Sequence, residues 1–164
     1  ADIAQMAARV VAENKAIGRT VAVAESCTGG LVSAAITEVP GSSAILGSGY
    51  VTYSNEAKMT MLGVNEDIID TFGAVSVAVA WAMAQGALKK SGADIAVAIS
   101  GVAGPDGGTA NKPVGTVVFA VALKGQNPED VVGDKKAFGE DKSRADIRAF
   151  ATLYALELLL PPAP

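Results

Sequence analysis

An α/β fold with helices on both faces of a mixed, mostly parallel sheet is predicted by three features of the sequence. Short apolar runs ending at turn formers alternate with amphipathic stretches of helical period. Half of the residues are hydrophobic but only 5% are aromatic, so Ala, Val, Ile and Leu must build the core, as in strands buried on both faces. The last two apolar runs are joined by a short turn and read as a hairpin, which makes the sheet mixed.

Residues 2–17 place Ile3, Met6, Ala7, Val10, Val11 and Ala12 on one helical face, and Gly18 stops the helix. Thr20 to Ala24 is a short buried strand, and Gly30 to Val39 is a helix closed by Pro40-Gly41. Gly47 to Tyr53 is a second strand. Asn55 is a suitable N-cap for a helix from Glu56 to Leu62, because its side chain accepts from early backbone N–H groups. A short helix follows at Glu66 to Phe72, and Ser76 caps a long one reaching about Lys90. Asp94 to Ser100 is almost continuously apolar and therefore a central strand. Gly101 to Lys112 is a glycine-rich loop. Val114 to Leu123 and Asp130 to Phe138 form the hairpin, and Ser143 to Leu160 is the final helix, ended by Pro161-Pro162.

The 164 residues read as a single domain, 1–164, large enough to bury a full core. The net charge of −4 and the lack of any basic run argue against a nucleic-acid partner. No apolar stretch has the roughly 20 residues a membrane span needs. The single cysteine excludes an intrachain disulfide and fits a reducing cytoplasm. No signal-peptide pattern precedes the first helix, and because the chain begins at Ala1 an initiator methionine was removed or lies upstream. There is no histidine, and the scattered carboxylates lack calcium-loop spacing, so neither a metal nor a cofactor is expected.

Three loops follow candidate strand ends: Glu25 to Gly30, Tyr53 to Lys58, and Ser100 to Gly108. If their strands are parallel, the loops meet in one crevice at the carboxyl edge. Ser26 then stands at a strand end beside a helix start, where it is either an ordinary cap or a nucleophile whose oxyanion the free N–H groups could hold. Without histidine, its base must be lysine, tyrosine or a carboxylate. Lys58 lies in the first turn of a helix, where the dipole and partial burial both lower a lysine pKa; the alternative is a solvated lysine. Tyr53 relays a proton or plugs the crevice wall. Cys27, the competing nucleophile, reads as packing or a supporting contact. The third loop matches neither common phosphate-binding glycine pattern.

Taken together, Ala24-Glu25-Ser26-Cys27-Thr28-Gly29-Gly30, Gly41-Ser42-Ser43, Tyr53-Ser54-Asn55-Glu56-Ala57-Lys58, Gly73-Ala74-Val75-Ser76, the Ser100 to Gly108 loop and Lys112-Pro113-Val114-Gly115-Thr116-Val117 resemble the C-terminal domain of the CinA (competence/damage-inducible) family. The resemblance implies a serine-type amidase that converts nicotinamide mononucleotide to nicotinate mononucleotide and ammonia. It implies Ser26 as nucleophile, Lys58 as base and Tyr53 as helper of the leaving ammonia. Cys27, Thr28, Gly29, Gly30, Ser42, Ser100, Gly101, Gly104 and Arg144 are the candidate substrate-binding residues. Arg144 and Arg148 are kept from the family's last motif, although its Gly-Asp pair is replaced by Lys142-Ser143. Two rivals stand beside this reading: a nucleotide-binding or interaction module with weak or lost catalysis, and an amidase for another small amide. The face Val77, Val79, Ala80, Met83, Ala84 and Ala87 reads as core, and homo-oligomerisation is left open.

Overall fold

The computed structural model describes residues 2–163. In chain order its elements are α1 (Ile3–Ala16), β1 (Val21–Glu25), α2 (Leu31–Thr37), β2 (Leu46–Val51), α3 (Asn55–Leu62), α4 (Glu66–Phe72), α5 (Val77–Ser91), β3 (Ile95–Gly101), β4 (Thr116–Leu123), β5 (Val132–Ala137) and α6 (Arg144–Leu158). Single 3-10 turns lie at Ser42–Ala44 and Pro128–Asp130. The strands form one sheet in the order β2-β1-β3-β4-β5. β1 pairs in parallel with β2 and β3, whereas β4 pairs antiparallel with β3 and β5. The sheet is mixed as expected: the pairings divide evenly, while four of the five strands, all but β4, run in the same direction. The cause is the loop after β3, which carries no crossover helix and so returns β4 antiparallel.

Alternation along the strands explains why both faces are covered. Val21 and Val23 of β1, Val97 and Ile99 of β3, and Val117 and Phe119 of β4 pack with α1, α2 and α6. Ala22, Ala24, Ala96, Ala98, Ala120 and Ala122 face the other way, onto α5 and its neighbours α3 and α4. Branched side chains fill one interlayer space, while the alanine face lets α5 lie close to the sheet.

The α3–α5 contact is tighter still. A Cβ placed on Gly86 of α5 would run into the carbonyl oxygen of Leu62, at the end of α3. Helix propensity alone favours alanine over glycine by about 1 kcal/mol in a helix interior. Here the clash is with backbone, which cannot rotate away, so Gly86→Ala is expected to destabilise the protein by about 1–3 kcal/mol. Urea denaturation reads the sign directly, and a stabilised variant would overturn this account of the packing.

Side chains set the helix starts. Asp2 accepts from the Gln5 N–H in a capping box, so it caps α1 rather than opening it. Ser54, one residue before the expected Asn55, caps α3 by accepting from Ala57 N–H at 3.0 Å. Ser54 has the extended backbone a cap requires, and Asn55 is already helical. Ser76 caps α5 as the sequence predicts, and Ser143, expected as the first helical residue, instead caps α6 by accepting from Asp146 N–H. The segment Pro128–Asp130, expected to reach the start of the last strand, is a 3-10 turn, and β5 begins at Val132.

Candidate active site

Register brings the three loops together. Glu25, the last residue of β1, pairs with Val51 on one side and Ile99 on the other. Ser26 N–H then donates to the Ile99 carbonyl at 2.9 Å, and Thr52 N–H to the Glu25 carbonyl at 2.8 Å. Ser26, Thr52 and Ser100 thus stand level at the carboxyl ends of parallel strands, where α/β proteins gather ligands. A cavity of about 310 Å³ opens there, lined by Ser26, Tyr53, Lys58, Ser100, Gly104 and Arg144 among others. That volume falls at the small end of ligand sites, which run from about 300 to 1,000 Å³. A larger cavity of about 630 Å³ between α3, α4 and α5 has Lys89 and Lys90 as its ionisable lining and no nucleophile.

Lys58 is the decisive side chain. It is 1% exposed although its helix begins at the surface, because the first turn of α3 folds back over the end of β2. Its Nζ lies 2.9 Å from Ser26 Oγ, 2.8 Å from the Thr52 carbonyl and 3.2 Å from the Tyr53 carbonyl. Desolvation brings its pKa down to about 8. As an ammonium, Lys58 donates one N–H to each of these three oxygens; once deprotonated, it keeps two N–H groups for the carbonyls and can turn its lone pair to the serine hydroxyl. Ser26 Oγ is also 3.4 Å from the Tyr53 carbonyl. Cys27 is buried, and burial pushes its thiol up to about 11. A thiol that stays protonated at neutral pH is a poor nucleophile, in keeping with the packing role expected of it.

The helix start beyond Ser26 differs from expectation. The N–H groups of Gly30, Val32 and Ser33 donate to the Glu25 carboxylate at 3.2, 2.9 and 3.0 Å, and Ser33 Oγ adds a fourth bond at 2.9 Å. Glu25, completely buried, therefore occupies the anion position at the start of α2. Among the described residues, the N–H groups of Cys27 and Thr28 have no acceptor. Arg148 of α6 donates to the carbonyls of Cys27 and Thr28 at 3.0 and 3.3 Å. In a trans peptide the N–H opposes the C=O, so holding the Cys27 carbonyl turns the Thr28 N–H away from Arg148. Gly29 and Gly30 both have positive φ, +59° and +105°, and let this turn close over so few residues.

Arg144 spans the cavity mouth. It donates to the Gly104 carbonyl at 2.7 Å and to the Tyr53 hydroxyl at 2.9 Å. Ser100 Oγ donates to the Ala74 carbonyl at 2.9 Å, joining β3 to the segment ahead of α5. Cys27, Ser100, Gly101 and Gly104 line the cavity. Thr28, Gly29, Gly30 and Ser42 stand outside its lining, Thr28 and Ser42 because they are buried behind the turn and in the 3-10 segment. Glu25 and Asp106 were not singled out by the sequence reasoning, and Arg148 was named there only as kept, with Arg144, from the family's last motif. The signal for Glu25 was a lone charge closing an otherwise apolar strand. Among the described residues, no three His, Cys, Asp or Glu side chains gather as a metal site, and no helix is long and apolar enough to cross a membrane.

The fold and this pairing define a class: an α/β protein with serine and a desolvated lysine at the carboxyl ends of its parallel strands. The chain belongs to the CinA C-terminal domain family, whose model matches residues 3–161. It is 60% identical over 122 residues to a putative competence-damage inducible protein of Symbiobacterium thermophilum, covering 74% of this chain and 28% of that one. The chain thus spans under a third of that relative's length. It is 48% identical over 159 residues to the nicotinamide-nucleotide amidohydrolase PncC of Escherichia coli K12, covering 96% of this chain and 93% of that protein. Among solved structures it is similar to the competence/damage inducible protein CihA from Agrobacterium tumefaciens, with a TM-score of 0.92, 45% identity, and coverage of 97% and 94% of the two chains.

Proposed function

We propose that this chain is a nicotinamide-nucleotide amidohydrolase, a single domain acting in the cytoplasm on nicotinamide mononucleotide. The observation that carries the reading is a lysine 1% exposed with Nζ 2.9 Å from Ser26 Oγ. It is supported by similarity over nearly the full length to a relative of that name.

Neutral Lys58 takes the Ser26 proton as Oγ attacks the carboxamide carbon. The C=O π electrons move to oxygen, and the free N–H group of Cys27, which lines the cavity, holds that oxyanion. Collapse breaks the C–N bond, and the proton on Lys58 passes to the departing nitrogen, so ammonia leaves and an acyl-serine remains. The Tyr53 hydroxyl, oriented by Arg144, assists that transfer. Water, deprotonated by the same amine, then hydrolyses the ester and restores Ser26. Arg144 holds the nucleotide phosphate at the rim through its remaining N–H groups. No step in this sequence calls on a cofactor.

Ammonia release from nicotinamide mononucleotide tests the proposal. Ser26→Ala should lower kcat by roughly 10⁴-fold or more, as loss of a nucleophile does elsewhere, while the nucleotide still binds. Turnover that survives the substitution would sink the serine mechanism. Binding heat from wild type with no ammonia would favour a nucleotide-binding module instead.

A further inference from the structure

We infer that Asp106 recognises the ribose diol of the nucleotide and sets the preference for a ribosyl substrate. This rests on the amidohydrolase reading above. Asp106 is the lone carboxylate among the residues lining the cavity, where it faces a site whose other ionisable groups include the cations Lys58 and Arg144. Among the described residues no ion pair engages it. It is exposed, whereas Ala103 and Gly104 earlier in the same loop are buried, which places it at the rim.

The loop that presents it is held at both sides. Val102 N–H donates to the Thr116 carbonyl and Gly115 N–H to the Val102 carbonyl, each at 2.8 Å, closing its base. Lys112 Nζ donates to the Phe72 carbonyl at 2.6 Å, tying its far limb to the end of α4. Arg144 grips the Gly104 carbonyl between them. These bonds fasten the base and limbs of the loop, and Asp106 stands exposed on the segment between Gly104 and Lys112, beside the cavity.

The order of groups in the substrate matches the order of groups in the cleft. The carboxamide must lie against Ser26 and Lys58 at the cleft floor. The pyridine ring then passes between the apolar walls of Ala74, Val75 and Val102. Ribose and phosphate emerge at the rim, where one anion and one cation wait. A carboxylate repels phosphate but accepts two hydrogen bonds from adjacent hydroxyls, as acidic residues do toward ribose in dinucleotide sites. Charge thus assigns phosphate to Arg144 and the diol to Asp106.

Nicotinamide mononucleotide and its 2′,3′-dideoxy analogue, compared with wild type and Asp106→Ala, test this assignment. Asp106 has no positive φ, so alanine fits its backbone. Wild type should favour the diol substrate by about tenfold or more in kcat/KM, the usual worth of hydrogen bonds to a charged group. Asp106→Ala should bring that ratio close to one, mainly through KM. A merely structural disturbance would lower both substrates alike and leave the ratio intact, and an intact ratio overturns the proposal. The same ratio is read by equilibrium binding in a Ser26→Ala background. A binding ratio that collapses on Asp106→Ala without wild-type turnover would support the ribose contact and sink the amidohydrolase reading alone. Failure of both ligands to bind would overturn both.

Discussion

Lys58→Met is expected to lower kcat for ammonia release by about 10²–10⁴-fold, the range that general-base removal spans. Methionine matches the length of the lysine stem, so the cavity wall is kept while the base is lost. Wild-type activity should fall tenfold for each pH unit below about 8, where the amine takes up its proton. The residual activity of Lys58→Met should lack that limb. Stability carries the same signature. A lysine in an unfolded chain titrates near 10.5, and burial brings Lys58 down to about 8. Between those values the unfolded chain keeps a proton that the folded protein has released, so wild-type stability rises with pH across that window. Below about pH 8 both states are charged and the burial penalty is fully present, up to about 3 kcal/mol. Urea denaturation at pH 7 and pH 10 should therefore show a gain in wild type that Lys58→Met lacks. Equal gains would mean that the amine is charged in the folded protein and cannot be the base.

The burial of Lys58 was also the least legible part of the site. The stretch Asn55-Glu56-Ala57-Lys58-Met59-Thr60 reads locally as a solvated helix start. Only the packing of α3 on α5, with Gly86 beneath Leu62, presses that turn over the ends of β1 and β2. The convergence of the three loops was legible, because apolar runs ending at Ala24, Tyr53 and Ser100 specify strands whose ends must gather if they are parallel. The cap of α3 was misplaced by one residue because Ser54 and Asn55 are both good caps and the choice lies in backbone angles. The even split of pairings depended on whether a helix crosses between β3 and β4, and a glycine-rich loop alone does not declare its path. Thr28, Gly29 and Gly30 looked open to a ligand because a helix start normally leaves its amides free. What closed that position was a carboxylate five residues before Gly30, whose side-chain direction no pattern discloses.

Glu25→Ala is expected to cost about 3–5 kcal/mol of folding stability, a large fraction of the roughly 5–15 kcal/mol available to a domain. The carboxylate accepts four hydrogen bonds, from three amides of the α2 start and the Ser33 hydroxyl. A donor left unpaired in a buried position costs about 1–3 kcal/mol. Val32 is completely buried, so water cannot replace the oxygen it loses. Glu25→Gln keeps one carbonyl oxygen for Gly30 and Val32 but turns an amide toward Ser33, so its loss should be intermediate. Activity should fall in both variants, because the turn held by Glu25 on one side and Arg148 on the other carries the Cys27 amide beside Ser26. Denaturation with urea gives the stability order, and ammonia release at a temperature where every variant is folded gives the activity order. A Glu25→Ala protein less than about 1 kcal/mol weaker than wild type would show that α2 needs no more than an ordinary cap, and that the turn beside the nucleophile is held by Arg148 alone.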